Sequence, residues 1–289
     1  MTSPAFDVIV CGSLHLDIML YARALPRPDE TVPGRRWERK CGGKGGNQAV
    51  MAAHAGARTA MIGRIGADEF GAELSANLAA SGVDHRAVAV DSDTGSGMSV
   101  AIVQDDGDYG AVIVSGSNLR IDPQPAALSW RALGGAHVLV LQNEVPEAVN
   151  IAVATAARAD GATVVLNAAP ARSMSADLLD RVDVLVVNRV EAEMLTEINV
   201  EGREDAFAAA SRLAAPRRSI VVTLGGGGVV VQPDGEAVFW IAPKPVKVVS
   251  THGAGDCFVG ALATRLARGD DLRAGAEFAN AAAAAHVSQ

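Results

Sequence analysis

The chain has 289 residues, of which 49% are hydrophobic, 20% charged and only 4% aromatic, the balance of a globular protein whose core is built from Ala, Val, Leu and Ile, in one large domain or two ordinary ones. A net charge of -8 argues against a nucleic-acid partner, which needs a basic face to displace counterions. No apolar run is long and uncharged enough to span a bilayer. Met1 to Asp7 contain no basic stretch followed by an apolar one, so no secretory signal is expected. Cys11, Cys41 and Cys257 are scattered, with no CxxC pair, as free thiols of a reducing cytoplasm would be. A cytoplasmic protein is expected.

In chain order, residues 7–11 (DVIVC) read as a buried parallel strand. Residues 17–40 then break the rhythm, with Pro26, Pro28 and Pro33 among polar residues, which suits short exposed strands and turns. Next stands Gly42-Gly43-Lys44-Gly45-Gly46-Asn47-Gln48, ahead of a helical run at 49–55. Glycines at a loop-to-helix junction let the backbone approach a ligand and leave N–H groups open at the helix start. The segment is not a Walker A loop, because Gly45 follows Lys44, nor a dinucleotide fingerprint, because Gln48 takes the place of the last glycine. A tight turn with a cap would explain the glycines but not Lys44 and Asn47 among them. Ligand binding explains both.

From about Arg58 strands alternate with helices. Apolar runs at 138–141, 163–166, 184–187 and 220–223 are separated by helical stretches such as 68–80, 147–158 and 204–214. This pattern predicts an α/β fold, a doubly wound and mostly parallel sheet sandwiched by helices, with ligands at the carboxyl ends of its strands. Two β-prone runs, 99–104 and 109–115, are joined by 105–108 (DDGD), a hairpin signal. With 17–40 they form either a small second sheet placed to cover a ligand or an ordinary surface excursion.

Three more clusters follow. Asn188 and Glu191, one turn apart after the strand at 184–187, suit either a hydrated Mg²⁺ or a plain solvated helix start. Thr223, Leu224 and Gly225 to Gly228 form either a flexible turn or a loop against a flat ligand. Gly253-Ala254-Gly255-Asp256 opens a helix at 257–268 with Phe258, Leu262 and Leu266 on its core face and Gly269 beyond its end. Its open N–H groups and dipole suit a phosphoryl group in flight. Asp256 is either an ionised base for a hydroxyl proton or a helix cap. The alanines at 281–285 predict a further helix.

In this order, with Gly12-Ser13 and Asp17 after the first strand and Glu144 in the middle, the clusters resemble the ribokinase (PfkB) family of carbohydrate kinases, from about Asp7 to Val287. The segments GGKGGNQAV (42–50), NAAPA (167–171) and FANAAAAA (278–285) are most similar to its ribokinase branch. The resemblance implies one ribokinase-like domain over 1–289, with a lid from 17–40 and 96–115. It implies an enzyme that moves the γ-phosphate of ATP to a sugar hydroxyl, D-ribose becoming ribose 5-phosphate. His15, Asp17, Gly43, Lys44, Gly45, Asn47 and Glu144 would hold the sugar. Asp256 would be the base, and Gly253, Ala254 and Gly255 the anion hole. Asn188 and Glu191 would serve Mg²⁺ through water, while Asn188, Thr223, Gly225, Gly226, Gly228, Gly255 and Asn280 would take the nucleotide. The lid would also pair two subunits.

Three departures stand out against the family pattern. His15 replaces an Asn among the sugar contacts, which leaves the sugar open. Ser250 replaces an acidic residue that helps to bind potassium, so potassium should activate weakly or not at all. The sequence reaches Gln289 ahead of the glycine- and proline-containing segment and last helix expected of the family. Rival readings are a kinase for another sugar or for a nucleoside, and a catalytically silent binding protein on the same fold. Tyr21, Trp37 and Tyr109 offer little stacking surface for a purine. The joint presence of Asp256, Lys44, Asn47, Asn188 and Glu191 argues against a silent protein, which has no use for a base.

Overall fold

The computed structural model describes residues 4–105 and 109–288. Its first apolar run is strand β1 (Phe6–Cys11), after which the chain leaves the core as β2 (His15–Ala22) and β3 (Gly34–Gly42). Helix α1 (Lys44–His54) returns it to β4 (Thr59–Gly66), α2 (Glu69–Ala80) and the edge strand β5 (Asp84–Asp91). Strands β6 (Gly97–Val103) and β7 (Tyr109–Val114) follow. The alternation then continues through α3 (Pro123–Leu133), β8 (Ala136–Gln142), α4 (Glu147–Ala159), β9 (Thr163–Asn167) and α5 (Ala176–Leu179). Next are β10 (Val184–Asn188), α6 (Arg189–Thr196), α7 (Arg203–Leu213) and β11 (Ser219–Thr223). Strands β12 (Val229–Gln232) and β13 (Phe239–Ile241) turn back, and α8 (Ala254–Ala267) and α9 (Leu272–His286) complete the fold.

The main sheet has nine strands in the order β13-β12-β11-β10-β9-β8-β1-β4-β5. All are parallel except β12 and β13, which add antiparallel pairs at one edge. β1 shows why the runs are continuously apolar. Val8 and Val10 enter one core with residues of α1, α2, α8 and α9, and Ile9 and Cys11 enter the other with residues of α3, α4, α6 and α7. Side chains alternate along a strand, so a sheet covered on both faces needs apolar residues at every position. Cys11, Cys41 and Cys257 are free thiols, and burial pushes the Cys11 thiol up to about 12. Among the described residues no helix is long and apolar enough to cross a membrane.

A second sheet, in the order β3-β2-β6-β7, carries the segments that broke the rhythm. It is a sheet and not a surface excursion, with β2 and β6 paired in parallel and the outer pairs antiparallel. It starts at His15 and includes Gly42, wider than 17–40. The strands expected to be short, β2 and β3, run for 8 and 9 residues. Pro26, Pro28 and Pro33 all lie in their connection, where no ladder hydrogen bond is needed. Of the predicted hairpin turn, residues 106–108 lie outside the described residues.

Two helices begin earlier than their sequences suggest. α1 starts at Lys44 rather than 49, and α8 at Ala254 rather than 257. Glycine disfavours helix interiors, but packing overrides that here. A Cβ on Gly45 would sit 2.6 Å from the backbone nitrogen of Ser13. The same holds where α1 crosses α8, since a Cβ on Gly260 would meet Ala52 N at 2.7 Å and Gln48 O at 2.8 Å. Gly45 lets α1 lie close to the turn after β1, and Gly260 lets the two helices that carry the site cross closely.

Candidate active site

Helix α8 opens on Gly253, whose φ of 74° suits glycine, and no side chain caps it. Asp256 stands in its first turn, yet its carboxylate accepts from α1: Asn47 Nδ2 donates to Oδ2 at 3.0 Å and Gln48 Nε2 to Oδ1 at 2.9 Å. Asp256 is therefore not the cap of its own helix, and the capping alternative is set aside. Gln48 is fully buried and accepts in turn from Gln142 Nε2 at 2.8 Å, at the carboxyl end of β8. The relay from β8 through α1 fixes both carboxylate oxygens.

Burial pushes the Asp256 carboxyl above its ordinary value, against the Lys44 charge and the Asn47 and Gln48 hydrogen bonds that favour the ionised form, with Glu144 adding to the rise. Taking the charge out of water disfavours the ionised form. A carboxylate with a raised pKa is the stronger base once ionised.

Three adjoining cavities meet at this point. The first, about 600 Å³, lies between the lid and the carboxyl ends of the strands. The second, about 190 Å³, shares Lys44, Thr251 and Asp256 with it. The third, about 700 Å³, shares Asn188, Thr223, Ala254 and Gly255 with the second. The junction of the first two thus carries a carboxylate and a lysine, and that of the last two is an uncapped helix N-terminus.

His15, Asp17, Gly43, Lys44, Asn47, Glu144 and Asp256, expected around the acceptor, all line the first cavity. Glu144 accepts from Ser13 Oγ and from the backbone N–H of Lys44 at 2.9 Å, so α1 and the turn after β1 fix its position. His15 is buried, with Nδ1 4.0 Å from Glu144 Oε2 and Nε2 shielded and unpaired. Asp17 accepts from Ser99 Oγ on the neighbouring lid strand. Ser13, Gln48, Ser99 and Gln142 had no assigned role. Their hydrogen bonds to Asp17, Glu144 and Asp256, and that of Gln142 to Gln48, reveal them, since spacing along the chain does not show which buried partner a polar side chain meets. Gly43 has φ 82°, and a Cβ there would meet His15 N at 2.7 Å.

Gly45 does not line the cavity. Its backbone packs in the first turn of α1 against the turn after β1, so its role is close approach, not ligand contact. Gly228 also departs from expectation. Thr223, Gly225, Gly226, Gly255 and Asn280 line the third cavity, but Gly228 does not. With φ 87° it accepts from Leu224 N at 2.9 Å, and a Cβ would meet Ile241 O at 2.2 Å, so it serves the turn into β12. Asn280 holds Ala242 O through Nδ2 at 2.8 Å, and Val246, Val248 and Val287 supply apolar wall.

Asn188 and Glu191 form a capping box on α6. Asn188 Oδ1 accepts from Glu191 N at 3.0 Å and Glu191 Oε2 from Asn188 N at 2.7 Å. Both also line the middle cavity, so the pair caps a helix start that faces this space. Burial pushes the Glu191 carboxyl up, with the Asp256 charge adding to it, while the Asn188 N–H and the Lys44 charge oppose the rise. Among the described residues no three His, Cys, Asp or Glu side chains cluster as metal ligands. Glu191 is engaged at both oxygens, since Asn188 Nδ2 donates to Oε1 at 3.0 Å. This donor set fits a cation held mainly by water and phosphate oxygens.

Such an arrangement can hold an alcohol against a base on one side and an anion on a helix N-terminus on the other, the layout of a small-molecule kinase. The chain belongs to the pfkB family of carbohydrate kinases, whose model matches residues 5–289. A ribokinase of Haemophilus influenzae is 32% identical over 281 residues, covering 97% of this chain and 92% of its own. That of Bacillus subtilis is 33% identical over 284 residues, covering 97% and 92%. The solved structure of Arabidopsis thaliana ribokinase complexed with ribose and ATP matches with a TM-score of 0.90 and 29% identity, over 100% of this chain and 94% of that one.

Proposed function

We propose that the chain is a ribokinase, transferring the γ-phosphate of ATP to the 5-hydroxyl of D-ribose. The observation that carries this is the place of Asp256, where the acceptor and phosphoryl cavities meet, oriented by Asn47 and Gln48. Ribose would lie under the lid, its hydroxyls paired with Asp17, Lys44, Asn47 and Glu144, with His15 Nε2 a further open position. Asp256 takes the proton of the acceptor hydroxyl, whose oxygen attacks the γ-phosphorus in line as the bond to ADP breaks. Lys44 and the first-turn N–H groups of α8, which lack intrahelical partners, stabilise the charge on the transferred group. Asn188 and Glu191 would hold Mg²⁺ through water, and that ion would supply charge neutralisation on the phosphates. The adenine ring would lie between the Gly225–Gly226 turn and the Asn280 face of α9.

A sugar is favoured over a purine nucleoside because neither Tyr21 nor Trp37 lines the acceptor cavity. Trp37 is 62% exposed and Tyr21 lies under Arg36. A homodimer through the lid is supported by apolar residues on both lid faces: Met19, Ala101 and Ile113 face the cavity, while Val112 and Val114 are exposed. The protein is placed in the cytoplasm, where ATP and reduced thiols are available.

The deciding experiment is ATP turnover with a panel of pentoses, hexoses and nucleosides. D-ribose should give the highest kcat/KM, because a hydroxyl missing from 2-deoxyribose leaves a buried polar group unpaired. A hexose or nucleoside preferred over ribose would overturn the substrate and leave the kinase. No turnover with any acceptor would leave a binding protein.

A further inference from the structure

A cavity of about 400 Å³, separate from the three above, is lined from α5, α6, α7 and β10 on the face of the sheet opposite α8. Its lining is largely apolar, with Leu179, Leu185, Met194, Leu195 and Leu213, yet two arginines also line it, Arg218 and Arg172, the latter shared with a cavity of about 310 Å³ that reaches His15 and Glu144. Arg172 donates from Nη1 to Val145 O at 3.1 Å, while its Nε and Nη2 are shielded from solvent with no partner. Arg218 has one long bond, Nη1 to Leu179 O at 3.4 Å, and its Nε is likewise shielded and unpaired. Among the described residues neither guanidinium has a carboxylate within 4.0 Å. Burial pushes both guanidinium pKa values down, opposed only by the charges of Glu147 and Asp180.

Charged donors shielded from water without partners are destabilising, and the family's reaction gives them nothing to do. We propose that this cavity binds a small organic carboxylate with an apolar body. Nε–H and Nη2–H lie on one edge of the Arg172 guanidinium and point the same way, so they match the two oxygens of a carboxylate. Arg218 Nε adds a third donor. A turn of either side chain toward the cavity replaces unpaired donors with paired ones, and the Met and Leu walls take the apolar body. Inorganic phosphate fits less well, because three of its oxygens would lose water against those walls.

The test is calorimetric titration of the full chain, saturated with ADP, using 4-methylpentanoate, its uncharged amide and inorganic phosphate as probes. One saturable site is expected for the carboxylate, with no binding of the amide and weaker binding of phosphate. Arg172→Met should weaken binding by at least about tenfold with little change in Tm, because the lost Nη1 bond to Val145 O is offset by removal of two shielded donors without partners. Met194→Trp, which fills the cavity from an exposed position and keeps both arginines, should weaken it too. The proposal is overturned by no saturable carboxylate binding, by equal binding of the amide, by phosphate binding more tightly, or by binding that survives both substitutions.

Discussion

Asp256 is the base in the proposed reaction, and its surroundings make separate demands on rate and stability. Asp256→Asn should lower kcat by at least roughly a hundredfold, the effect of losing a positioned base, with ribose binding little changed. Its effect on stability differs. Burial raises this carboxyl in the folded chain, so the native state holds the proton more tightly than the unfolded one. Stability from this group is fully present below the unfolded pKa and is lost as pH rises through the folded one. At neutral pH, Asp256→Asn relieves that buried charge but turns an amide N–H toward the Asn47 or Gln48 donor, so the two effects offset and Tm should stay close to that of the parent in a thermal scan. Gln48→Leu removes a hydrogen bond that favours the ionised form, so the acidic limb of the kcat profile should move to higher pH. A limb that stays in place would detach Gln48 from the base. Ser250 Oγ accepts from His252 N at 3.2 Å, a neutral group where the family pattern has an acidic one. Replacing potassium with a bulky organic cation at constant ionic strength should change kcat by less than about tenfold, or roughly 1.4 kcal/mol. A larger loss would reveal a working cation site without the acidic ligand.

The elements that matter most are α1 and α8, because the base sits on one and its two partners on the other. Their close crossing depends on Gly260, whose missing Cβ leaves room for the backbone of Gln48 and Ala52. Gly260→Ala should cost about 1–3 kcal/mol, the usual range for overpacking, and should also lower kcat by moving Gln48 and Asn47 off Asp256. Denaturant unfolding and steady-state kinetics on one sample check both. A stability loss with kcat unchanged would show that the crossing is structural only. At the sheet edge, Asp91 accepts from the backbone N–H of Asp93 and Thr94 and from Arg64 and Arg120, and the Asp93 N–H, with Arg64 and the Thr94 N–H, holds its carboxyl down at about 2. Folded and ionised forms favour each other there, so that stability is present above the ordinary carboxylate value and lost as pH falls toward 2. Asp91→Asn should lower Tm at neutral pH and flatten its fall in acid.

For the whole molecule, the proposed dimer gives the lid two uses. Its inner face closes the acceptor cavity through Asp17 and Ser99, and its outer face leaves Val112 70% exposed and Val114 54% exposed. A second copy paired there would cover the outer face and steady the inner one. Val112→Asp should give a monomer in sedimentation equilibrium with a raised KM for ribose, whereas an unchanged molecular mass would place the dimer contact elsewhere.

The alternation of apolar runs and helices settles the layered sheet before any coordinates, because a strand buried on both faces must be apolar throughout. The glycine clusters likewise mark the two helix starts where ligands approach, since only glycine leaves the backbone open. What no local pattern contains is which partner each buried polar group finds. Gln48, Ser13 and Ser99 lie far along the chain from the carboxylates they hold, as Gln142 does from Gln48, and a hydrogen bond depends on distance in space. The same reason separates Gly45 and Gly228 from the glycines that line the cavities. All serve a close approach, and only the fold decides whether the approaching body is a ligand or another stretch of the chain.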